Sequence, residues 1–252
     1  MTIDHYASLR EGLVGAWCPS IAGSGFILPD LSGRGNHGTL TNMAADDWVS
    51  SRYGRSLDFD GINDYVESVN PLRNGMSQFS VSCWVARKAD QHNKGIVSVL
   101  NDQGGNGVVQ FIIFWSNFTS NLILFSSWNA SNARVNVSST FTLDLNRFYH
   151  IVGVCNGVTQ LLYIDGILDG SSARSGPFAA STENFNIGAY GRSLCANSLI
   201  DDVRLYDRAL TPSEIRLLAS RPGIGLSPFI DVPSMPPIAT SARRRRILTG
   251  AH

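Results

Sequence analysis

The chain has 252 residues, 43% hydrophobic and only 16% charged, enough apolar material for one large core and too little charge for a disordered polymer. Basic and acidic residues number 20 each, but the neutral total hides a dipole. After Ser220 five arginines (Arg221 and Arg243, Arg244, Arg245, Arg246) face Asp231 alone, a balance of +4, which leaves residues 1–220 with 15 basic against 19 acidic side chains, or −4. No run of eighteen apolar residues is present, so no helical membrane span is expected, and Met1–His5 lacks the basic start and apolar stretch of a signal peptide.

In chain order, period-2 patterning predicts half-buried strands. Leu57 and Phe59 alternate with Ser56, Asp58 and Asp60; Phe79, Val81, Cys83 and Val85 alternate with Ser80, Ser82 and Trp84. Further runs at 96–100, 108–115, 121–126, 133–137, 148–155, 160–164, 185–189 and 199–206 bring the expectation to about ten strands. Asp165-Gly166, between Leu161–Ile164 and Ile167-Leu168, is a tight hairpin signal, because both central residues of a type I′ turn need positive φ. The 24 glycines supply turns between short strands, the composition of a β-sandwich. One helix is written at 211–219: Thr211 as N-cap, Pro212 at the first helical position, Glu214 completing a capping box, and Ile215, Leu218 and Ala219 on one apolar face. The proline-rich stretch after Arg221 predicts an extended arm. The expected organisation is an N-terminal segment 1–11, a domain 12–220 and an arm 221–252. Cys18, Cys83, Cys155 and Cys195 form no Cys-x-x-Cys pair and are expected as buried thiols.

Six segments in order carry a resemblance: Asp30–Leu40, Ser56–Val66, Phe79–Val85, Tyr149–Val154, Leu162–Gly166 and Ile200–Ile215. Together they resemble the laminin G-like, concanavalin A-like jelly rolls over about residues 12–219. The resemblance implies an all-β fold, a two-sheet antiparallel jelly-roll sandwich with one short C-terminal helix, here followed by an extended C-terminal arm outside the family pattern. It also implies uses from glycan binding and adhesion to glycosidase chemistry, and often a structural calcium ion. The segments resembling its ligand carriers are Asp30, Asn36 and Gly38 of the first loop and the pair Asp201-Asp202; a network of Asp side chains capping glycine-rich turns is the other reading. By alternation only one of Asp201 and Asp202 points inward.

For glycosidase chemistry two carboxyl groups must flank the scissile bond. The glutamates Glu11, Glu67, Glu183 and Glu214 are scattered, none followed two positions later by Asp, so no catalytic residue is assigned. His150, inside a strand, reads as structural. For glycan binding, Trp128 and Tyr190 are the candidate stacking platforms among Trp48, Trp84, Trp115, Trp128 and Tyr190, with Asn129 and Arg192 as polar partners.

The functional expectation is a non-enzymatic display protein: a sandwich anchored by its basic arm to the protein scaffold of a larger assembly, such as a phage virion surface, and contacting cell-surface glycans, with a homo-oligomer left open. Neither a membrane nor nucleic acid is expected as partner, since four arginines without interleaved aromatics are thin for the latter. The alternatives are a free carbohydrate-binding lectin module and a glycoside hydrolase.

Overall fold

The computed structural model describes residues 6–72, 77–99, 110–116, 121–178 and 180–226. Among them run sixteen strands: β1 (Leu13–Trp17), β2 (Ile27–Leu28), β3 (Gly38–Thr41), β4 (Trp48–Ser51), β5 (Gly54–Asp60), β6 (Tyr65–Ser68), β7 (Phe79–Arg87), β8 (Lys94–Val99), β9 (Phe111–Trp115), β10 (Ile123–Trp128), β11 (Arg134–Ser138), β12 (Tyr149–Cys155), β13 (Thr159–Ile164), β14 (Ile167–Ala173), β15 (Phe185–Ile187) and β16 (Asn197–Tyr206). One helix, α1 (Pro212–Leu218), follows. The excess over ten comes mainly from pieces of two to five residues, β1 to β4 and β6, too short to show alternation.

Two antiparallel sheets form the sandwich. The first has the order β14-β13-β12-β7-β16-β5-β4 with β1 also pairing β16; the second runs β11-β10-β9-β8-β15-β6-β3-β2. The core between them is fed by alternate residues: Phe79, Val81, Cys83 and Val85 of β7 meet Phe111, Ile113, Trp115 and Phe125 of β9 and β10. Phe79 anchors it, 4.7 Å from Phe178 and 4.9 Å from Phe111 between ring centres. Gly153 of β12 exists to make room: a Cβ there would lie 2.7 Å from the Phe125 ring. All four cysteines are buried free thiols.

The hairpin β13–β14 turns at Asp165 (φ 50°) and Gly166 (φ 81°), both positive as a type I′ turn requires. Helix α1 starts with the expected capping box, in which the Glu214 N–H donates to Thr211 Oγ1 (3.3 Å) and the Thr211 N–H to Glu214 Oε2 (2.8 Å). Its Ile215 and Leu218 are fully buried against the outer face of the first sheet, with Val152, Val154 and Tyr206. Each such side chain contributes about 1.5–3 kcal/mol by leaving water.

The same outer layer takes in residues from both flanks of the expected domain. Leu9 and Ile224 are buried in it, at 1% and 4% exposure, and the Gly223 N–H donates to Asp202 Oδ2 at 2.7 Å. Residues 6–11 and 221–226 therefore belong to the packed domain, because apolar side chains on both flanks close its outer face. Arg221 is half-buried just after the helix. Arg243, Arg244, Arg245 and Arg246 lie outside the described residues.

Candidate functional site

The expected glycan platform is differently built. On the outer face of the second sheet, Ile112, Phe114, Leu124 and Trp128 form a buried apolar group against which Tyr190 packs, its ring stacked 6.0 Å from Phe114. Trp128 ends β10 at only 9% exposure, and the Arg134 guanidinium lies over its ring at 4.9 Å. At that burial the ring has no free face for a sugar, so Trp128 is not an open platform. Asn129 is spent locally: its Oδ1 accepts from the N–H groups of Ser131 and Ala133, and its Nδ2 donates to Ser175 O. Arg192 pairs with Glu67 at 2.6 Å. Trp128 and Tyr190 thus share a cluster, while Asn129 and Arg192 brace other contacts.

The residues named for calcium serve the chain itself. Asp30 Oδ1 accepts from the N–H groups of Ala16 and Ser32, and its Oδ2 from the Ser32 hydroxyl and the Asn36 N–H. The Asn36 carbonyl accepts from Trp17 Nε1 and the Ser68 hydroxyl, and its amide donates to Val14 O. Gly38 opens β3 where a Cβ would meet Val66 at 2.5 Å. No group of three or more His, Cys, Asp or Glu side chains among the described residues could hold a metal ion. These residues fit the turn-capping reading, in which the carboxylate of Asp30 holds the first loop.

Asp201 and Asp202 sit on a β-bulge, with Asp202 at φ 45° and the register against β7 shifting between Asp201 and Arg204. The extra residue overturns the alternation argument: Ile200 and Val203 both face the main core, and neither aspartate does. Asp202 pairs with buried Arg204 through two bonds of 2.7 and 2.8 Å. Asp201 Oδ1 accepts from the N–H groups of Ser20 and Asp202, while its Oδ2 has no partner among the described residues. Burial, then the Asp202 charge, pushes the Asp201 carboxyl up to about 7. A carboxyl held protonated near neutral pH is what general-acid chemistry uses, yet both aspartates are 1% exposed. No substrate reaches them. His150, 0% exposed, shares a hydrogen bond with Ser82 Oγ (2.9 Å), and burial lowers its pKa to about 3.

The cleft that sequence reasoning missed opens on the outer face of the first sheet, beside α1. It is a cavity of about 530 Å³. Because Cys83 and Val85 face the core, Trp84 between them faces outward, and with Leu199 of β16 it lines the cleft. The β4–β5 turn contributes Ser51, Arg52 and Tyr53; residues 146–148 ahead of β12 contribute Asn146, Arg147 and Phe148; the β13–β14 turn contributes Asp165, and the end of α1 contributes Ala219. The Tyr53 and Trp84 rings stand 5.3 Å apart at 57°. Arg147 is held by Asp165 (3.1 Å) and Asp144 (3.6 Å), while Asp165 Oδ1 accepts from the His150 N–H. Arg52 lies 5.3 Å from the centre of the Tyr53 ring and has no carboxylate partner among the described residues. Trp84 Nε1 and Ser51 Oγ are buried without a hydrogen-bond partner. The sequence signal for this wall was the alternation that sets Trp84 opposite to Cys83 and Val85.

No curated protein matches the chain in sequence. Among solved structures it is similar to domain 4 of AbnA, a GH43 extracellular arabinanase from Geobacillus stearothermophilus, in complex with arabinotriose (18% identity, TM-score 0.66, 82% of this chain and 98% of that one). It is also similar to the botulinum neurotoxin serotype D binding domain (15%, TM-score 0.65, 85% of this chain) and the binding domain of Paraclostridial Mosquitocidal Protein 1 (15%, TM-score 0.63, 84%), of which it spans 52% each. At these identities the likeness establishes the two-sheet fold. The family model described as concanavalin A-like lectin/glucanases matches residues 60–216, running from the end of β5 into α1, and the chain belongs to that superfamily.

Proposed function

We propose that this chain is a non-catalytic carbohydrate-binding domain that seats a saccharide in the cleft beside α1. The observation carrying the reading is the cleft itself: about 530 Å³, within the usual size of ligand sites, walled by Tyr53, Trp84 and Phe148 and rimmed by Asn146, Arg52 and Arg147. The half-buried Tyr53 and Phe148 rings, rather than Trp84 at 4% exposure, can take the flat apolar side of a pyranose, and the rim supplies hydrogen bonds to its hydroxyls. Asp165 is the one carboxylate lining the cleft, and Arg147 and the His150 N–H already hold it. Both glycosidase geometries need two carboxyl groups facing the bond, which supports binding over hydrolysis. The arabinotriose complex of the arabinanase domain and the two toxin binding domains support the same reading.

Titration calorimetry against neutral and acidic oligosaccharides tests it. Binding should fall at least tenfold in Tyr53→Ala, and a reducing-sugar assay on the same substrates should stay flat. Binding untouched by Tyr53→Ala, or turnover, would reject the reading. The display role belongs to this proposal too: Arg243 to Arg246, opposed only by Asp231 beyond residue 226, would fasten the domain to a larger assembly such as a virion and leave the cleft free for host glycans. Removing residues 227–252 should then abolish incorporation while saccharide binding persists; normal incorporation would reject the anchoring role.

A further inference from the structure

We infer that the ligand of this cleft is an acidic saccharide, one whose carboxylate is met by Arg52; this rests on the carbohydrate-binding reading. The lining is short of acceptors and rich in unclaimed donors. Asp165 has both oxygens occupied, one by Arg147 and one by the His150 N–H. Against that stand three groups without a hydrogen-bonded partner among the described residues: the Arg52 guanidinium, the Trp84 indole N–H and the Ser51 hydroxyl. Trp84 is only 4% exposed, so its unpaired N–H is a desolvated donor, the state that native structures normally avoid unless a ligand or water completes it.

Charge points the same way. Arg147 is balanced by Asp165 and Asp144, whereas Arg52 stays uncompensated on the exposed rim, laid against the Tyr53 ring. A guanidinium parked on an aromatic face presents its N–H fork sideways, the geometry that receives a carboxylate bidentately. A neutral sugar, with each hydroxyl both donor and acceptor, leaves that fork and its charge unanswered. A uronic or sialic acid answers both, with its ring against Tyr53 and its carboxylate on Arg52.

The test is an array of oligogalacturonates, hyaluronan fragments and sialyllactose printed beside their carboxyl-reduced, neutral counterparts, probed with the full chain. Acidic glycans should bind at least tenfold more strongly than their reduced partners, with the gap narrowing in 0.5 M salt. Arg52→Gln should close that gap. Arg134→Gln, which removes the same charge from the opposite sheet, should leave it intact. Equal signals from acidic and reduced glycans would overturn this inference and leave the carbohydrate reading standing; silence across the whole array would overturn both. Loss of acid preference in Arg134→Gln as well as Arg52→Gln would place the effect in overall charge and also refute the assignment to Arg52.

Discussion

Replacing Asp201 by Asn should make the domain relatively more stable as the pH rises. In the fold the Asp201 carboxyl lies under the outer layer of the first sheet at 1% exposure, and the buried guanidinium of the same strand, Arg204, is already committed to Asp202. An ionised Asp201 would be the uncompensated charge of the cluster, and burial followed by the Asp202 charge raises its pKa from 3.8 to about 7. A carboxyl with a raised folded-state pKa lends its stability fully below about pH 4 and loses it as the pH rises through about 7. Each pH unit across which the native state holds a proton that the unfolded chain has released is worth about 1.4 kcal/mol. Between pH 5 and pH 8 wild type should therefore lose about 3 kcal/mol that the Asn variant, a neutral isostere of the protonated acid, does not. Urea unfolding of both proteins at several pH values reads this directly. The Asn amide can keep the Oδ1 bonds from Ser20 and Asp202, so the two proteins should converge below about pH 4, with wild type already about 1.6 kcal/mol weaker at pH 5. A stability difference that stays flat from pH 5 to pH 8 would refute the reasoning, since Asp201 would then be ionised in the fold.

The Asp201→Asn background also exposes His150, whose contribution has the opposite sign: burial lowers its pKa to about 3, so its stability is present above 6.5 and lost as the pH falls. Acid titration there should show a loss approaching 1.4 kcal/mol per pH unit below 6.5, removed by His150→Gln; an unchanged slope would mean that His150 is not the group titrating. Truncation after Leu226 should leave the melting temperature unchanged, whereas truncation after Ser220 removes buried Ile224 and the Gly223 bond to Asp202 and should cost about 2–4 kcal/mol. Equal melting of the two truncations would contradict the placement of residues 221–226 in the domain. Gly153→Ala, with its methyl 2.7 Å from Phe125, should lose about 1–3 kcal/mol in chemical denaturation, and a neutral result would show that the two sheets part easily there.

The sandwich was legible because the face of a strand that meets the apolar core writes itself as alternation, as in Phe79–Val85, although the outer face of that strand is covered too, and because short-range rules govern the Asp165-Gly166 turn and the Thr211–Glu214 box. Those features need only residues within a few positions of each other. The bulge at Asp201-Asp202 was not legible, since an extra residue in a strand shows only once β7 supplies the register and β1 takes over from β5 beside β16. Trp128 and Tyr190 were named as candidate platforms, but neither their packing in one cluster nor their cover was legible, because Arg134 reaches Trp128 from the adjoining strand β11.

What the sequence by itself determined is the alternation that makes two faces, the turns that make neighbours, the order of segments that marks the superfamily, and the charge gathered at residues 243–246. Only the tertiary structure decided where a ligand could sit. The cleft joins Arg52, Trp84, Arg147, Asp165, Leu199 and Ala219, residues far apart in the chain that meet because sheet pairing brings β4, β5, β7, β12 and β16 side by side and α1 folds back across them. Local patterns record which side of a strand is dry. A cavity is a property of surfaces from distant segments, and it exists only after those segments have packed.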